Sequence, residues 1–214
     1  MALLKSNEVW GHTASSLSER LIQIGNNSFS ADGDYEKYLA DKAVEAEYTN
    51  DRLQVKPTDI GLEIGSGTGV HAAYFAARCQ HLYSVDVSDG FSDLFKSTTS
   101  GIENITYNVR RFFPMFPEVK DNSADYCYSS SVFCHLNVYD VYLYFEEVSK
   151  KLKAEGRFYI NYQTCDDGVA DLFKLFLENY RAAGEFTPIP LQKCNSIPTN
   201  FLNRSRLRLA SILR

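Results

Sequence analysis

The stretch from Thr58 to Gly69 constrains this chain more than any other. It reads Thr-Asp-Ile-Gly-Leu-Glu-Ile-Gly-Ser-Gly-Thr-Gly. Ile60, Leu62 and Ile64 alternate, which is the period of a strand. Glycines then fall at every second position, 65, 67 and 69. The spacing after them predicts a helix over Val70 to Cys79 with Ala72, Phe75 and Ala76 on one face. Backbone without side chains can approach a ligand closely, and a helix N-terminus offers it unpaired N–H groups. Two ligand classes use such a turn. A dinucleotide pyrophosphate calls for G-x-G-x-x-G/A, whose last small residue lets helix and strand pack. Here Val70 occupies that position, the third glycine comes one residue early, and an acid, Glu63, stands two residues before the first glycine.

The rest of the chain supplies the partners such a turn needs. A second strand, His81 to Asp86, ends in an acid 17 residues after Gly69. A carboxylate at that end can accept both hydrogen bonds of a ribose diol. It could also cap the next helix, a task that Ser88 or Asp89 can perform equally well. A third strand is expected over Asn104 to Val109 and a fourth within Asp121 to Ser131, which puts Ser129 and Ser130 at a carboxyl edge where open α/β sheets bind ligands. Val138 to Lys153 reads as a helix with a basic last turn, as its dipole prefers. Ala154-Glu155-Gly156 is expected to turn into a fifth strand over Arg157 to Tyr162, and Asp171 to Ala183 is a further amphipathic helix. Strands alternating with helices make the fold α/β with a mostly parallel sheet.

The two ends say less. In the first 34 residues Leu17 to Ile24 reads as one candidate for a short helix, and turn residues follow. Tyr35 to Tyr48 is a better helix, with Tyr35, Tyr38, Leu39, Ala43 and Ala46 on its apolar side and acids on the other faces. At the other end, Phe186 to Cys194 and Arg206 to Leu213 form either a closing antiparallel hairpin or, over Arg204 to Arg214, a basic amphipathic helix. Pro188 and Pro190 weaken the hairpin reading. Without the hairpin a sheet edge stays open, to be covered by the N-terminal segment or by a partner, such as a second copy of the chain.

Composition narrows the function. The 214 residues suit one domain, read as an N-terminal helical segment (1–57), a core (58–185) and a basic C-terminal segment (186–214). No apolar run approaches the ~18 residues of a membrane span, and nothing at the start has the order of a signal peptide. The five cysteines are odd in number and form no CxxC pair, which argues against zinc or disulfides and for reduced thiols in the cytoplasm. No acid follows Phe186, where five Lys and Arg residues lie; the chain's net −5 less these five cations leaves about −10 on the first 185 residues. A body that acidic argues against broad nucleic-acid binding.

Acid-x-G-x-G-x-G over Glu63 to Gly69 resembles the first motif of class I S-adenosylmethionine-dependent methyltransferases. Asp86-Val87-Ser88 resembles that family's second signature, and the likeness runs over roughly Thr58 to Tyr162. It implies a Rossmann-like sheet with helices on both faces. It also implies that Gly65, Ser66, Gly67 and Gly69 admit the amino-acid end and ribose of S-adenosylmethionine (product S-adenosylhomocysteine), that Glu63 anchors the loop or the cofactor's ammonium, and that Phe91 packs on adenine. The family's N-terminal segment often folds over the cofactor as a lid, where Trp10 and Tyr35 would serve. The chain departs from the pattern after the third strand. Where the family places an Asp for the adenine amino group, this chain has Arg110-Arg111-Phe112, and Arg cannot accept that bond. Adenine is then left to backbone contacts around Arg111 and to stacking on Phe112 or Phe91; alternatively Arg110 or Arg111 faces an anionic substrate, or both are solvated.

The implied reaction is methyl transfer to an oxygen or nitrogen of a small molecule. His135 is the histidine at the ligand edge, with an unperturbed pKa suited to a base; otherwise it caps the helix that follows. Asn/Asp-Pro-Pro-Tyr and Pro-Cys, the signatures of two other acceptor chemistries in this family, are absent. The rival readings are a protein or RNA methyltransferase and a non-catalytic cofactor-binding scaffold.

Overall fold

The computed structural model of the chain describes residues 19–21, 35–136 and 138–161. Trp10 of the expected lid, most of the Leu17 to Ile24 helix, the Asp171 to Ala183 helix and both readings of the C-terminal segment lie outside them.

Five strands form one sheet in the order β3-β2-β1-β4-β5. They are β1 (Ile60–Ile64), β2 (His81–Asp86), β3 (Ile105–Val109), β4 (Ala124–Ser129) and β5 (Leu152–Ile160). All four pairings are parallel. The α/β expectation holds, and β2 has the bounds that its alternation predicts.

Among the described residues, the helices that connect and cover the strands are α1 (Tyr35–Leu53), α2 (Val70–Ala76), α3 (Ser92–Thr98) and α4 (Val138–Lys151). On one face Ala72 and Phe75 of α2, Phe95 of α3 and Ala46 and Leu53 of α1 pack on Leu82, Tyr126 and Tyr128. On the other, Tyr144 and Val148 of α4 join Met115, Phe116 and Val119 over Leu62, Ile64, Val85 and Cys127. Glu147 of α4 ties that second layer down. Its carboxylate accepts the amides of Met115 (2.8 Å) and Phe116 (2.7 Å), giving buried backbone donors the partner they require.

Three expectations need correction. Helix α1 runs on to Leu53, and its polar residues do not all face outward: Ala43 is exposed, while Lys42 and Glu45 turn inward. Neither Ser88 nor Asp89 caps α3, whose N-cap is Phe91 without a side-chain cap bond. Finally, Ala154-Glu155-Gly156 is not a turn before the last strand. Strand β5 begins at Leu152, directly after α4, and contains these residues as a bulge. Ala124 pairs with Leu152, but Tyr126 pairs with Arg157. The loop folds back so tightly that a Cβ on Gly156 would lie 2.8 Å from that of Leu152, the kind of position at which a strand keeps a glycine.

Candidate functional site

The strand order fixes where a ligand can go. From β1 the chain moves one way to β2 and β3 and then crosses to β4 and β5 on the other side. A crevice opens at such a reversal, outside the carboxyl ends of the two strands that flank it. Those ends are Ile64 of β1 and Ser129 of β4, paired in register. The glycine loop leaves from the first, and Ser130 and Ser131 leave from the second.

The loop needs its glycines for distinct reasons. Gly65, Gly67 and Gly69 have φ of 78°, 49° and 81°, left-handed values that disfavour residues with a Cβ. A Cβ on Gly65 would fall 2.2 Å from a methyl of Val132, so that glycine is set by the loop after β4. A Cβ on Gly69, the N-cap of α2, would meet Phe95 at 2.9 Å and Thr99 at 3.2 Å; this third glycine admits α3 against α2. Between them lies Ser66, 6% exposed, whose hydroxyl is buried and has no hydrogen-bond partner. Buried hydroxyls are nearly always bonded, so this one stands out at the loop.

Asp86 closes the loop from the end of β2. One carboxylate oxygen accepts the Gly67 amide at 2.9 Å and the other the Ser88 amide at 2.9 Å. Burial raises its pKa, and these amides work against the rise. Each oxygen keeps a lone pair, so a diol could still be received. Next to it Val87 packs against the core, and Phe91 is 2% exposed.

Glu63 lies beneath the loop, buried on β1, and accepts the hydroxyl of Ser84 from β2. Burial pushes its pKa up to about 7, and Asp86 adds to the rise. Ser129 is also buried and donates to the Ile64 carbonyl at 2.9 Å, clasping the two strand ends.

The residues after β3 stand further out. Phe112 is 64% exposed. Arg110 pairs with Glu118 at 2.9 Å and Arg111 with Asp89 at 3.7 Å, so each guanidinium has an acid beside it. That weighs against their serving as an open anion site. His135 ends a 3-10 turn, Phe133–His135, and its amide bonds the Val132 carbonyl at 2.9 Å. Its ring sits partly in solvent, and the protein around the rest of it lowers the pKa.

One group of residues escaped the sequence reading. Tyr38 of α1 shares a buried hydrogen bond of 2.9 Å with Thr68 of the glycine loop. Lys42 pairs with Glu45 at 2.9 Å, and the other Glu45 oxygen takes the hydroxyl of Ser130, just past β4. His71 of α2 bonds the Lys42 carbonyl at 3.1 Å. Burial would raise Glu45, but Lys42, His71 and Ser130 together hold it at about 2. Burial brings His71 down to about 4, so it is neutral, in line with a structural role. Helix α1 is thereby fastened to both lips of the crevice. The available signal was positional: Tyr38, Lys42, Glu45 and Thr49 recur at helical spacing.

Among the described residues there is no His, Cys, Asp and Glu group able to hold a metal. Among the described residues, Cys79, Cys127 and Cys134 form no disulfide. No described helix is long and apolar enough to cross a membrane.

A parallel sheet in this order, with a glycine loop at its reversal and an acid ending the adjacent strand, is the fold of class I methyltransferases. Residues 62–160 match the family model described as Methyltransferase domain. The resemblance read from Glu63 to Gly69 and Asp86 is therefore borne out. Solved structures agree on the fold. Phosphoethanolamine N-methyltransferase 1 of Haemonchus contortus, solved with phosphoethanolamine and S-adenosylhomocysteine, superposes with a TM-score of 0.58 at 15% identity, covering 78% of this chain and 34% of its own. Geranyl diphosphate C-methyltransferase of Streptomyces coelicolor gives 0.57 at 16% identity, over 82% of this chain and 73% of its own. The YcgJ protein of Bacillus subtilis gives 0.51 at 24% identity, over 65% and 57%. The chain thus spans about a third of the first and somewhat over half of the last. No curated protein matches the chain by sequence.

Proposed function

We propose that this chain binds S-adenosylmethionine and transfers its methyl group to an oxygen or nitrogen of a small molecule. The observation that carries this is the unpartnered hydroxyl of Ser66, buried in a left-handed glycine loop at the sheet's reversal, a loop whose Gly67 amide is held by Asp86. Gly65, Ser66 and Gly67 would receive the cofactor through backbone and hydroxyl, and Asp86 would take the ribose. Val87, Phe91, Arg111 and Phe112 would border the adenine. Gly69 serves by packing the helices that hold the loop. When bound, the cofactor supplies a methyl carbon made electrophilic by its sulfonium.

The chain's part is to align the acceptor and exclude water. Ser129 and Ser130 hold one wall in place, through Ile64 and through Glu45. The depressed pKa of His135 keeps its imidazole neutral at pH 7, the state a general base requires. In this reading His135 takes the proton of the acceptor, and His135→Gln lowers kcat by roughly 10²-fold or more while leaving cofactor affinity unchanged. The neighbouring folds include methyltransferases named for small molecules, phosphoethanolamine and geranyl diphosphate, which supports an acceptor of that size here.

Calorimetric titration with S-adenosylmethionine and S-adenosylhomocysteine, with NADH as a control, tests the reading. Saturable binding of both adenosyl ligands and none of NADH is expected. Isotopic methyl incorporation into metabolite pools then identifies the acceptor. Binding without turnover on any pool would point to the scaffold reading instead.

A further inference from the structure

At the lip of the crevice formed by β4, the direction of each hydrogen bond around Ser130 is fixed. The loop that carries Ser130 presses on the glycine loop: two residues on, a Val132 methyl fills the space that a Cβ on Gly65 would need. Asn161, directly after β5, accepts the Ser131 amide on its Oδ1. That amide can only donate, so Asn161 turns its Nδ2 the other way, to Ser130 Oγ at 3.4 Å. Ser131 has a left-handed φ of 59°, uncommon for a residue with a side chain, and its amide is tied to Asn161. On its other side Ser130 Oγ meets Glu45 Oε1. Glu45 is ionised, with the Lys42 ammonium 2.9 Å from Oε2, so its oxygens can only accept. Ser130 therefore gives its one proton to Glu45 and receives one from Asn161.

Among the described residues, a hydroxyl so placed has no proton to offer and one lone pair without a donor. We propose that Ser130 selects the methyl acceptor by receiving a hydrogen bond from it, and that the acceptor is a primary amine. The inference rests on the reading above and narrows it from oxygen or nitrogen to nitrogen. A carboxylate at this lip would set its lone pairs against those of Ser130, with the Glu45 charge behind them. Turning the hydroxyl round to serve it would take a bond from Glu45. An alcohol has a single proton; given to Ser130, it is lost to the base assigned to His135. A neutral primary amine has one N–H for each and keeps its lone pair for the methyl carbon. On transfer that lone pair forms the new N–C bond, and the S–C bond breaks onto sulfur. The nitrogen, now cationic, then passes one proton to His135. Glu45 and Asn161 are positioning residues: they act on the acceptor only through the direction they give to Ser130.

The test supplies the full chain with a metabolite extract and S-adenosylmethionine labelled in its methyl group, and locates the label by mass spectrometry. Wild-type protein is expected to place it on a primary amine; label on oxygen, carbon or a carboxylate would overturn the proposal alone. With that amine as substrate, Ser130→Ala should raise KM roughly tenfold with a smaller change in kcat, and Ser130→Thr should restore it. Glu45→Gln can turn an amide N–H towards Ser130 and reverse the hydroxyl, so its KM should rise by a similar factor in protein shown to be folded by thermal unfolding. Affinity for S-adenosylhomocysteine, by calorimetry, should be unchanged in Ser130→Ala. An unchanged KM in folded Ser130→Ala would contradict the proposal. A loss of S-adenosylhomocysteine affinity there would contradict it too, by giving the lone pair to the cofactor's own amine. Binding of both adenosyl ligands without label transfer would remove the methyl-transfer reading and the proposal with it.

Discussion

Two carboxylates flank the glycine loop, one half-buried and one fully buried, and the protein treats them in opposite ways. Glu45, reaching in from α1, meets Lys42, Ser130 and the edge of His71, and is held ionised at about 2. Glu63, on β1, meets Ser84 and the charge of Asp86, and is pushed up to about 7. Both lose water on folding. The first has its countercharge within the chain and fastens one element to another. The second has none among the described residues and keeps its charge in reserve.

Breaking the closed pair should have the largest effect on stability. Glu45→Ala leaves Lys42 ionised with 13% of its side chain exposed and no partner. The loss should be about 2–3 kcal/mol, below the range for fully buried pairs because both groups retain some water. Thermal unfolding should shift down by roughly 5–10 °C. Opening the loop's own clasp comes next. Asp86→Ala removes the acceptor of the Gly67 amide and should weaken S-adenosylmethionine binding by ~1.5–3 kcal/mol, the scale of charge-assisted hydrogen bonds; unchanged affinity by calorimetry would take Asp86 out of the site. Removing the open charge should act with the opposite sign on stability. Glu63→Gln should be about 1–2 kcal/mol more stable than wild type at pH 8, measured by urea unfolding, with the gain gone at pH 4.

The smallest effect is in the pH profile of the unmodified protein. Glu63 is raised on folding, so its contribution is full below the unfolded value near 4.5 and is lost as pH rises to about 7. His71 is lowered on folding, so its contribution is present above about 6.5 and is lost as pH falls towards 4. The two slopes oppose each other between about pH 4.5 and 6.5, and stability should be nearly flat there. In His71→Phe the fall in stability with rising pH should steepen, by up to ~1.4 kcal/mol per pH unit. A profile that stays flat in that variant would contradict the assignment of Glu63.

The same comparison explains what the sequence disclosed. The glycine loop, β2 and its terminal acid were legible because each is a local pattern: alternation, close glycines, an acid at a strand end. Glu63 was legible for the same reason. Glu45 was not, because an acid on a helix with Lys42 three residues before it looks like any solvated pair; only Ser130, 85 residues away, turns it inward. The start of β5 was misread because Ala-Glu-Gly has the composition of a turn, and a bulge uses the same residues. The exposed setting of Phe112 could not be read from an Arg-Arg-Phe-Phe run that suits a buried or an open loop equally.

The pairing of Gly61 with Tyr126 has its own consequence. A methyl group on Gly61 would sit 2.2 Å from the ring of Tyr126, a fully buried side chain that would have to shift to admit it. Neither position can drift alone: a larger residue at 61 must wait for a smaller one at 126, while a smaller one at 126 leaves a hole until 61 grows. Two residues 65 apart in the chain thus share a single evolutionary degree of freedom, and Gly61→Ala should be tolerated far better in a Tyr126→Val background than by itself.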